Sequence, residues 1–224
     1  MEHWNTYWSS THYPPVVTAP PAAMYGGTNT EPLASIGMSC FLDAVREDFK
    51  EGFKVLDYGC GAGILGNFIS ARLQNFTYYG LEPNTLHGNE RIGLAKQCID
   101  DKRFTFGHIE TDFDLISKQE LDTIVLISIF THMTEDDIST VLDSLQSVFS
   151  RNPKASIVFS CFIDQESRVE TLQSHIWERF YGRSFITSKF LTHYCSENNL
   201  KLTHHMDFVA QGGHVHSIIK INKI

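Results

Sequence analysis

One stretch of this 224-residue chain restricts its fold more than any other, the segment 53–63 with the sequence FKVLDYGCGAG. An apolar run ends in Asp57, and a segment compatible with a helix begins at Ile64. Between them lie three glycines at alternate positions, Gly59, Gly61 and Gly63. The pattern predicts a strand, a tight glycine loop and a helix, with Asp57 at the carboxyl end of the strand. Because the free N–H groups of the helix face the loop, a nucleotide-like ligand could lie against its backbone.

The glycine spacing excludes two common nucleotide-binding motifs. A dinucleotide fingerprint needs G-x-G-x-x-G, and here the third position is Ile64. A P-loop needs Lys followed by Ser or Thr, which is absent. The pattern D-x-G-x-G-x-G instead resembles motif I of the class I S-adenosyl-L-methionine (SAM)-dependent methyltransferases. This resemblance implies SAM as cofactor and S-adenosyl-L-homocysteine as product. It also implies cofactor contacts from Asp57, Gly59, Cys60, Gly61 and Gly63.

A second segment supports the same resemblance. The predicted fourth strand is a continuous apolar run that ends near Ser128. The following residues, SIFTHM, resemble the S-V-F-T-H-L segment that follows strand four in many of these methyltransferases. We therefore predict that Ser128, Ile129 and Phe130 contact the cofactor. His132 is the first candidate for a general base and His214 the second, because an unperturbed histidine titrates near neutral pH. The alternative is that His132 only satisfies backbone groups at the start of the next helix.

Two further predicted strands end in candidate cofactor residues. Glu82 and Pro83 follow strand two, and Glu82 lies 19 positions after Gly63. A carboxylate there can accept hydrogen bonds from both ribose hydroxyls, and its alternative is a solvated loop acid. His108 and Ile109 follow strand three, where the resemblance implies an adenine contact. The family often has Asp at the position of His108, so a surface histidine is the alternative, and Glu110 or Asp112 could replace the missing acid.

The element pattern predicts an α/β fold, a three-layer Rossmann-like sheet with strand order 3-2-1-4-5-7-6 and strand 7 antiparallel. The predicted strands cover 54–58, 76–81, 121–128, 156–162, 200–209 and 215–221, and the range 103–109 holds the third strand with the loop after it. The predicted helices cover 33–51, 64–73, 84–98, a segment that starts at Thr134, and 188–197. Residues 1–32 are predicted to be an irregular arm rich in proline and aromatic residues. The family resemblance implies that this arm is a lid, and the alternative is that its rings only pack on the surface of the domain. Residues 33–224 form one methyltransferase domain. Its insertion over about 165–186, of mixed helical character, is expected to shape the acceptor pocket.

Composition narrows the choice of acceptor. The net charge of −8 and the pI near 5.7 make nucleic acid an unlikely partner and favour a small-molecule or glycan acceptor. Five cysteines without a C-x-x-C pair predict reduced thiols and a cytoplasmic protein. The N-terminus lacks a signal-peptide pattern and the longest apolar run is too short to span a bilayer, so no membrane association is expected. The oligomeric state is not indicated.

Three hypotheses follow for the function. The first is transfer of a methyl group from SAM to an oxygen or nitrogen of a small-molecule or glycan acceptor. The second is a SAM-dependent methyltransferase for RNA or protein, and the third is a non-catalytic interaction module with the same fold. No metal is predicted, although the histidines of the last two strands could approach each other. These histidines are His204, His205, His214 and His216.

Overall fold

The computed structural model describes residues 50–70, 73–174, 179–209 and 215–224. The predicted arm over 1–32, nearly all of the predicted helix over 33–51, and His214 lie outside these residues. Five α-helices occur in the described part: α1 Ile64–Ser70, α2 Leu86–Cys98, α3 Ile109–Ile116, α4 Glu135–Leu145 and α5 Ser188–Glu197. Two 3₁₀ segments, Phe130–His132 and Gln146–Ser150, flank α4.

Nine strands form one sheet in the described part. They are β1 Phe53–Tyr58, β2 Phe76–Glu82, β3 Phe104–His108, β4 Thr123–Leu126, β5 Ser156–Asp164, β6 Arg168–Ser174, β7 Arg179–Thr187, β8 Leu200–Val209 and β9 Val215–Lys223. The first five are parallel in the order β3-β2-β1-β4-β5. Strand β9 pairs antiparallel with β5, and β8 pairs antiparallel with β9. The predicted order 3-2-1-4-5-7-6 is thus confirmed, because β8 and β9 are the predicted strands six and seven.

The strands separate two apolar clusters, one on each face of the sheet. Because side chains alternate between faces, Leu56 and Leu81 belong to one cluster, whereas Val55 and Tyr78 belong to the other. The first cluster is covered by α4 and α5, and the second by α1 and α2. This alternation directs Asp57 and Glu82 to the face that α1 and α2 cover.

The described residues of the insertion, 165–174 and 179–186, contain no helix, which corrects the prediction. They form the antiparallel hairpin β6–β7, and the end of β7 pairs parallel with the last residues of β5. The Phe185 ring stacks on Phe162 at 5.3 Å, and the Arg168 guanidinium lies 4.0 Å from the Phe185 ring centroid. Aromatic residues suit strands as well as helices, and the long-range pairing with β5 decided between the two.

Helix α3 was not predicted as a helix, since the sequence analysis treated its start as a loop after strand three. The Asp112 carboxylate accepts the backbone N–H of His108 at 2.8 Å, which stabilises the first turn of α3. The predicted start of α4 has the expected cap. The Thr134 hydroxyl accepts the N–H of Asp137 at 3.3 Å, and Asp137 in turn accepts the N–H of Thr134 at 3.3 Å.

Candidate active site

The glycine loop after β1 has a backbone that other residues could adopt only with strain. Gly59, Gly61 and Gly63 have φ angles of 81°, 57° and 77°. A Cβ at Gly59 would lie 2.2 Å from Cδ1 of Ile129, so this position also lacks room for a side chain. The N–H of Gly59 donates to the carbonyl of Leu81 at 2.7 Å. The loop is therefore held between the ends of β2 and β4.

Gly61 is the glycine of the loop that faces open space. A Cβ there would meet no atom of the described residues within 4 Å, yet its N–H donates to Oε1 of Glu82 at 2.5 Å. Glu82 is 3% exposed, and its other carboxylate oxygen lies 3.5 Å from the Arg91 guanidinium. Burial raises the pKa of Glu82, whereas Arg91 and the Gly61 N–H act in the opposite direction. Glu82 therefore lies beside the glycine loop, joined to it by a hydrogen bond.

Asp57 is buried just below the same loop. It is 3% exposed, and the Tyr78 hydroxyl donates a hydrogen bond to it at 2.5 Å. Burial raises the pKa of Asp57 to about 7, and the charge of Glu82 adds to the rise, whereas the Tyr78 hydrogen bond opposes it. The sequence analysis missed Tyr78 and Arg91. The alternation of β2 could have found Tyr78, because residues 78, 80 and 82 lie on one face of that strand.

The end of β3 adds His108 to this group. His108 is directly opposite Glu82 in the parallel β2–β3 register. Its Nδ1 atom is buried and has no hydrogen-bond partner among the described residues. The two acids considered as replacements for the family's Asp both bind backbone, since Glu110 accepts the N–H of Asn84 at 2.8 Å and Asp112 accepts that of His108. Ile109 begins α3 directly after His108.

The segment after β4 borders the loop from the other side. Ser128 has a φ angle of 56°, and its N–H donates to the Ser160 hydroxyl at 2.8 Å. Ile129 and Phe130 are buried, and Phe130 packs on Phe159 with 4.8 Å between ring centroids. His132 ends the 3₁₀ turn and is half-buried. The carboxyl ends of β1 to β4 thus bring together nearly all of the predicted cofactor residues.

The comparisons with known proteins agree with this arrangement. The family model described as "Methyltransferase domain" matches residues 37–205. The chain belongs to this methyltransferase family. The predicted resemblance to class I SAM-dependent methyltransferases is therefore confirmed. No curated protein sequence matches this chain.

Several solved structures of methyltransferases have the same fold. A SAM-dependent methyltransferase from Methanosarcina mazei aligns with a TM-score of 0.62 and 13% identity, covering 80% of this chain and 96% of that one. Magnesium protoporphyrin IX methyltransferase from Synechocystis PCC 6803, with bound SAM, gives a TM-score of 0.62 and 15% identity over 100% of this chain and 96% of that one. A glycopeptide N-methyltransferase complexed with sinefungin aligns with a TM-score of 0.60 and 12% identity, covering 84% of this chain and 94% of that one. The family match and these structures support SAM as the cofactor predicted from the sequence.

The residues of this methyltransferase fit such a cofactor. The space next to Gly61 leaves the loop backbone accessible, and the Glu82 carboxylate lies beside it. The buried Nδ1 of His108 offers a polar atom for a base at the end of β3. Pro83 follows Glu82, and its carbonyl accepts the N–H of Thr85 at 2.8 Å.

Two other features of the methyltransferase bear on its chemistry. Among the described residues, no group of three or more His, Cys, Asp or Glu side chains could hold a metal ion. His204 contacts Asp207 at 2.7 Å, and the His216 ring packs on Phe162 with 4.3 Å between centroids.

None of the helices in the described part combines the length and apolar character needed to cross a membrane.

Proposed function

We propose that this chain transfers a methyl group from SAM to an oxygen or nitrogen of a small-molecule acceptor, a class that includes glycans. The observation that carries the proposal is the contact between Glu82 and the Gly61 N–H, which joins two predicted cofactor residues from separate strands. A glycine loop and a buried acid at adjacent strand ends are what a nucleoside ligand requires. An interaction module without catalytic function would not need both features intact.

Each predicted cofactor residue has a proposed role. Glu82 would accept the ribose hydroxyls, because two carboxylate oxygens can pair with a cis-diol. His108 would use its buried Nδ1 for a hydrogen bond with adenine. The loop from Gly59 to Gly63 would lie against the amino-acid part of the cofactor, and the segment Ser128–Phe130 would enclose it from β4.

The chemical step needs few protein groups. When bound, SAM supplies an electrophilic methyl group on a sulfonium centre. The protein must orient the acceptor and exclude water, and orientation alone can contribute about 7–11 kcal/mol. A hydroxyl acceptor also needs a base, and we assign that role to His132, which ends the turn after β4. An amine acceptor needs only to be neutral, in which case His132 would orient it.

A cavity beyond β5, on the face of the sheet that α4 and α5 cover, is the site that we propose for part of the acceptor. It measures about 390 Å³, within the range of about 300–1,000 Å³ typical of small-molecule sites. It is lined by Ile163, Ser188, Leu191, Leu202, His204, Asp207, Val215, Ser217 and Ile219. Strand β9 lies two strand spacings from β4, or about 10 Å. An acceptor anchored in this cavity would therefore have to be extended, as a glycan is.

Calorimetry tests the cofactor assignment. The full chain is titrated with SAM, S-adenosyl-L-homocysteine and NAD at moderate salt. We expect micromolar dissociation constants for the two adenosyl ligands and none measurable for NAD. Binding of NAD alone, or of none of the three, would overturn the proposal.

Methyl transfer tests the acceptor class. The full chain is incubated with methyl-labelled SAM and, separately, with a small-molecule extract, an RNA fraction and a protein fraction. We expect label in the small-molecule fraction only, and none with the Gly61→Arg variant. Label in RNA or protein would favour the second hypothesis instead.

A further inference from the structure

Two carboxyl groups are buried together beneath the glycine loop. Asp57 and Glu82 lie on the same face of the sheet, at the ends of neighbouring strands, and each is 3% exposed. Arg91 is the cation closest to them in the described contacts, and its guanidinium approaches Glu82 at 3.5 Å. The charged and titratable groups around Asp57 are Tyr78 and Glu82 from β2, Cys60 from the loop, Arg91 from α2 and His108 from β3.

Tyr78 fixes the position of Asp57. The Tyr78 side chain is fully buried, and its hydroxyl donates to Asp57 Oδ2 at 2.5 Å. The rings of Phe104 and Phe106 pack against it, with centroids 5.2 and 5.8 Å away. Because these contacts leave the phenol little freedom, the orientation of the Asp57 carboxyl is set by packing behind the sheet.

In the part of the chain that the structure describes, one guanidinium, that of Arg91, lies against the two carboxyl groups. A buried charge is costly unless a partner of opposite sign compensates it. With both carboxyls ionised, Arg91 can compensate only one of them. The ammonium and carboxylate of SAM cancel each other, so its sulfonium leaves the cofactor with a net charge of about +1. The thioether product keeps the ammonium and the carboxylate but lacks the sulfonium, so SAM brings one positive charge more to this site than the product does.

We propose that the buried pair Asp57 and Glu82 distinguishes the sulfonium cofactor from its neutral thioether product by charge, and that Tyr78 is the positioning residue of this pair. The proposal rests on SAM binding at the glycine loop. It implies that SAM selects the doubly ionised pair, whereas the product binds the singly protonated pair about equally well. The same device would favour product release after methyl transfer.

The direction of the pH dependence follows from linkage. Burial raises the pKa of Asp57 to about 7, so the free protein holds a proton on the pair below neutral pH. SAM binding must then release that proton, which weakens its apparent affinity as the pH falls. We expect the affinity ratio of SAM to product to fall by about tenfold between pH 8 and pH 6, which is the change that one linked proton with a pKa of about 7 in the free protein gives over this interval.

The test is calorimetry of the full chain with SAM and with S-adenosyl-L-homocysteine between pH 5.5 and 8.5. Buffers of different ionisation enthalpy report the number of protons released. The wild type should release close to one proton with SAM at pH 6 and none with the product. The Asp57→Asn variant should show neither the proton release nor the pH-dependent ratio. The amino group of the ligand also titrates, but it does so with the wild type and with the Asp57→Asn variant alike, so its contribution cancels when the two proteins are compared.

The Tyr78→Phe variant separates positioning from packing. It keeps the ring but removes a hydrogen bond that favours the ionised form of Asp57. The pH at which the ratio of SAM affinity to product affinity changes should therefore move upward. An unchanged midpoint would remove the role of Tyr78. A ratio that stays constant with pH in the wild type would overturn the charge proposal while leaving SAM binding in place. Failure of both ligands to bind at every pH would overturn the proposed function and this inference together.

Discussion

The two halves of the sheet are built in different ways. The cofactor half, which comprises β1, β2, β3 and the loop from Gly59 to Gly63, consists of parallel strands whose ends are joined by hydrogen bonds of 2.5–3.0 Å. The proposed acceptor half, which comprises β5 to β9 and α5, consists largely of antiparallel hairpins around a cavity of about 390 Å³. Under the proposed function, this difference would let one half hold the constant cofactor by its backbone, while the walls of the other half could vary with the acceptor.

The largest effect is expected from Gly61→Arg, which places a large side chain in the space next to the loop. We expect SAM affinity to fall at least about 1,000-fold, or about 4 kcal/mol, in calorimetry. The matched control is Gly52→Arg, because Gly52 also has a positive φ angle, 83°, and also has no atom within 4 Å of a built Cβ. Both variants should lose similar stability, and only the first should lose binding. Equal losses of binding would contradict the role of the loop.

The next effect concerns stability and pH in the cofactor half. The folded pKa of Asp57, about 7, is above its ordinary value of 3.8, so the folded protein binds this proton more tightly. The resulting stabilisation is complete below about pH 4 and is lost as the pH rises to 7. Relative to the wild type, Asp57→Asn should gain up to roughly 4 kcal/mol in unfolding free energy over that interval. Urea unfolding at several pH values measures this, and a constant difference would contradict it.

A core substitution in each half tests whether the halves are independent. Phe185→Ala in the acceptor half should lower the free energy of unfolding by about 3 kcal/mol and change SAM affinity by less than about twofold. Phe106→Ala should cost similar stability and also weaken SAM binding, because a Cβ built on Gly63 would lie 3.0 Å from this ring. Loss of SAM binding in both variants would show that the halves are coupled.

The His132→Ala variant tests the base role of His132, which lies after β4, between the cofactor half and the proposed acceptor half. If His132 is the base, turnover should fall by about 100-fold with SAM affinity unchanged, because general-base catalysis contributes about 10²–10⁴-fold. The control is His193→Ala, since His193 is exposed on α5. Turnover of His132→Ala equal to that of the control would remove the base assignment and favour an amine acceptor.

The smallest effect is expected from backbone strain at the end of β4. Ser128 has a φ angle of 56°, and glycine adopts this region without a Cβ penalty. We expect Ser128→Gly to raise the free energy of unfolding by about 0.5–1 kcal/mol, and Asn199→Gly, at a φ angle of 53°, to raise it less because asparagine tolerates this region. Thermal unfolding measures both, and a larger gain at Asn199 would reverse the expectation.

Sequence reasoning succeeded where the information is local. The alternate glycines and the acid at the end of β2 predicted a nucleoside site, and Glu82 does lie against Gly61. The family resemblance, carried by the glycine motif and the segment after strand four, implied the sheet order that the structure has. The roles of individual site residues stay predictions.

The failures involve contacts between distant residues. The insertion over 165–186 was taken as partly helical, and it became the hairpin β6–β7 because β7 pairs with the end of β5. Tyr78 and Arg91 were missed because each contacts a carboxyl group on a neighbouring element, 21 residues away for Tyr78 and nine for Arg91. The alternation of β2 gives the face on which Tyr78 lies, but it does not report which carboxyl group the hydroxyl reaches.

The sequence by itself determined the family and the cofactor motif, because glycine spacing and hydrophobic runs act through local backbone preference, and the order of the principal strands followed from the family resemblance. The tertiary structure decided the environment of the carboxyl groups. Burial of Asp57 beside Glu82, with Tyr78 behind it and Arg91 beyond, exists only once β1, β2 and α2 have packed together. Desolvation and charge pairing depend on that packing, and therefore so do the pKa of Asp57 and its predicted effect on ligand choice.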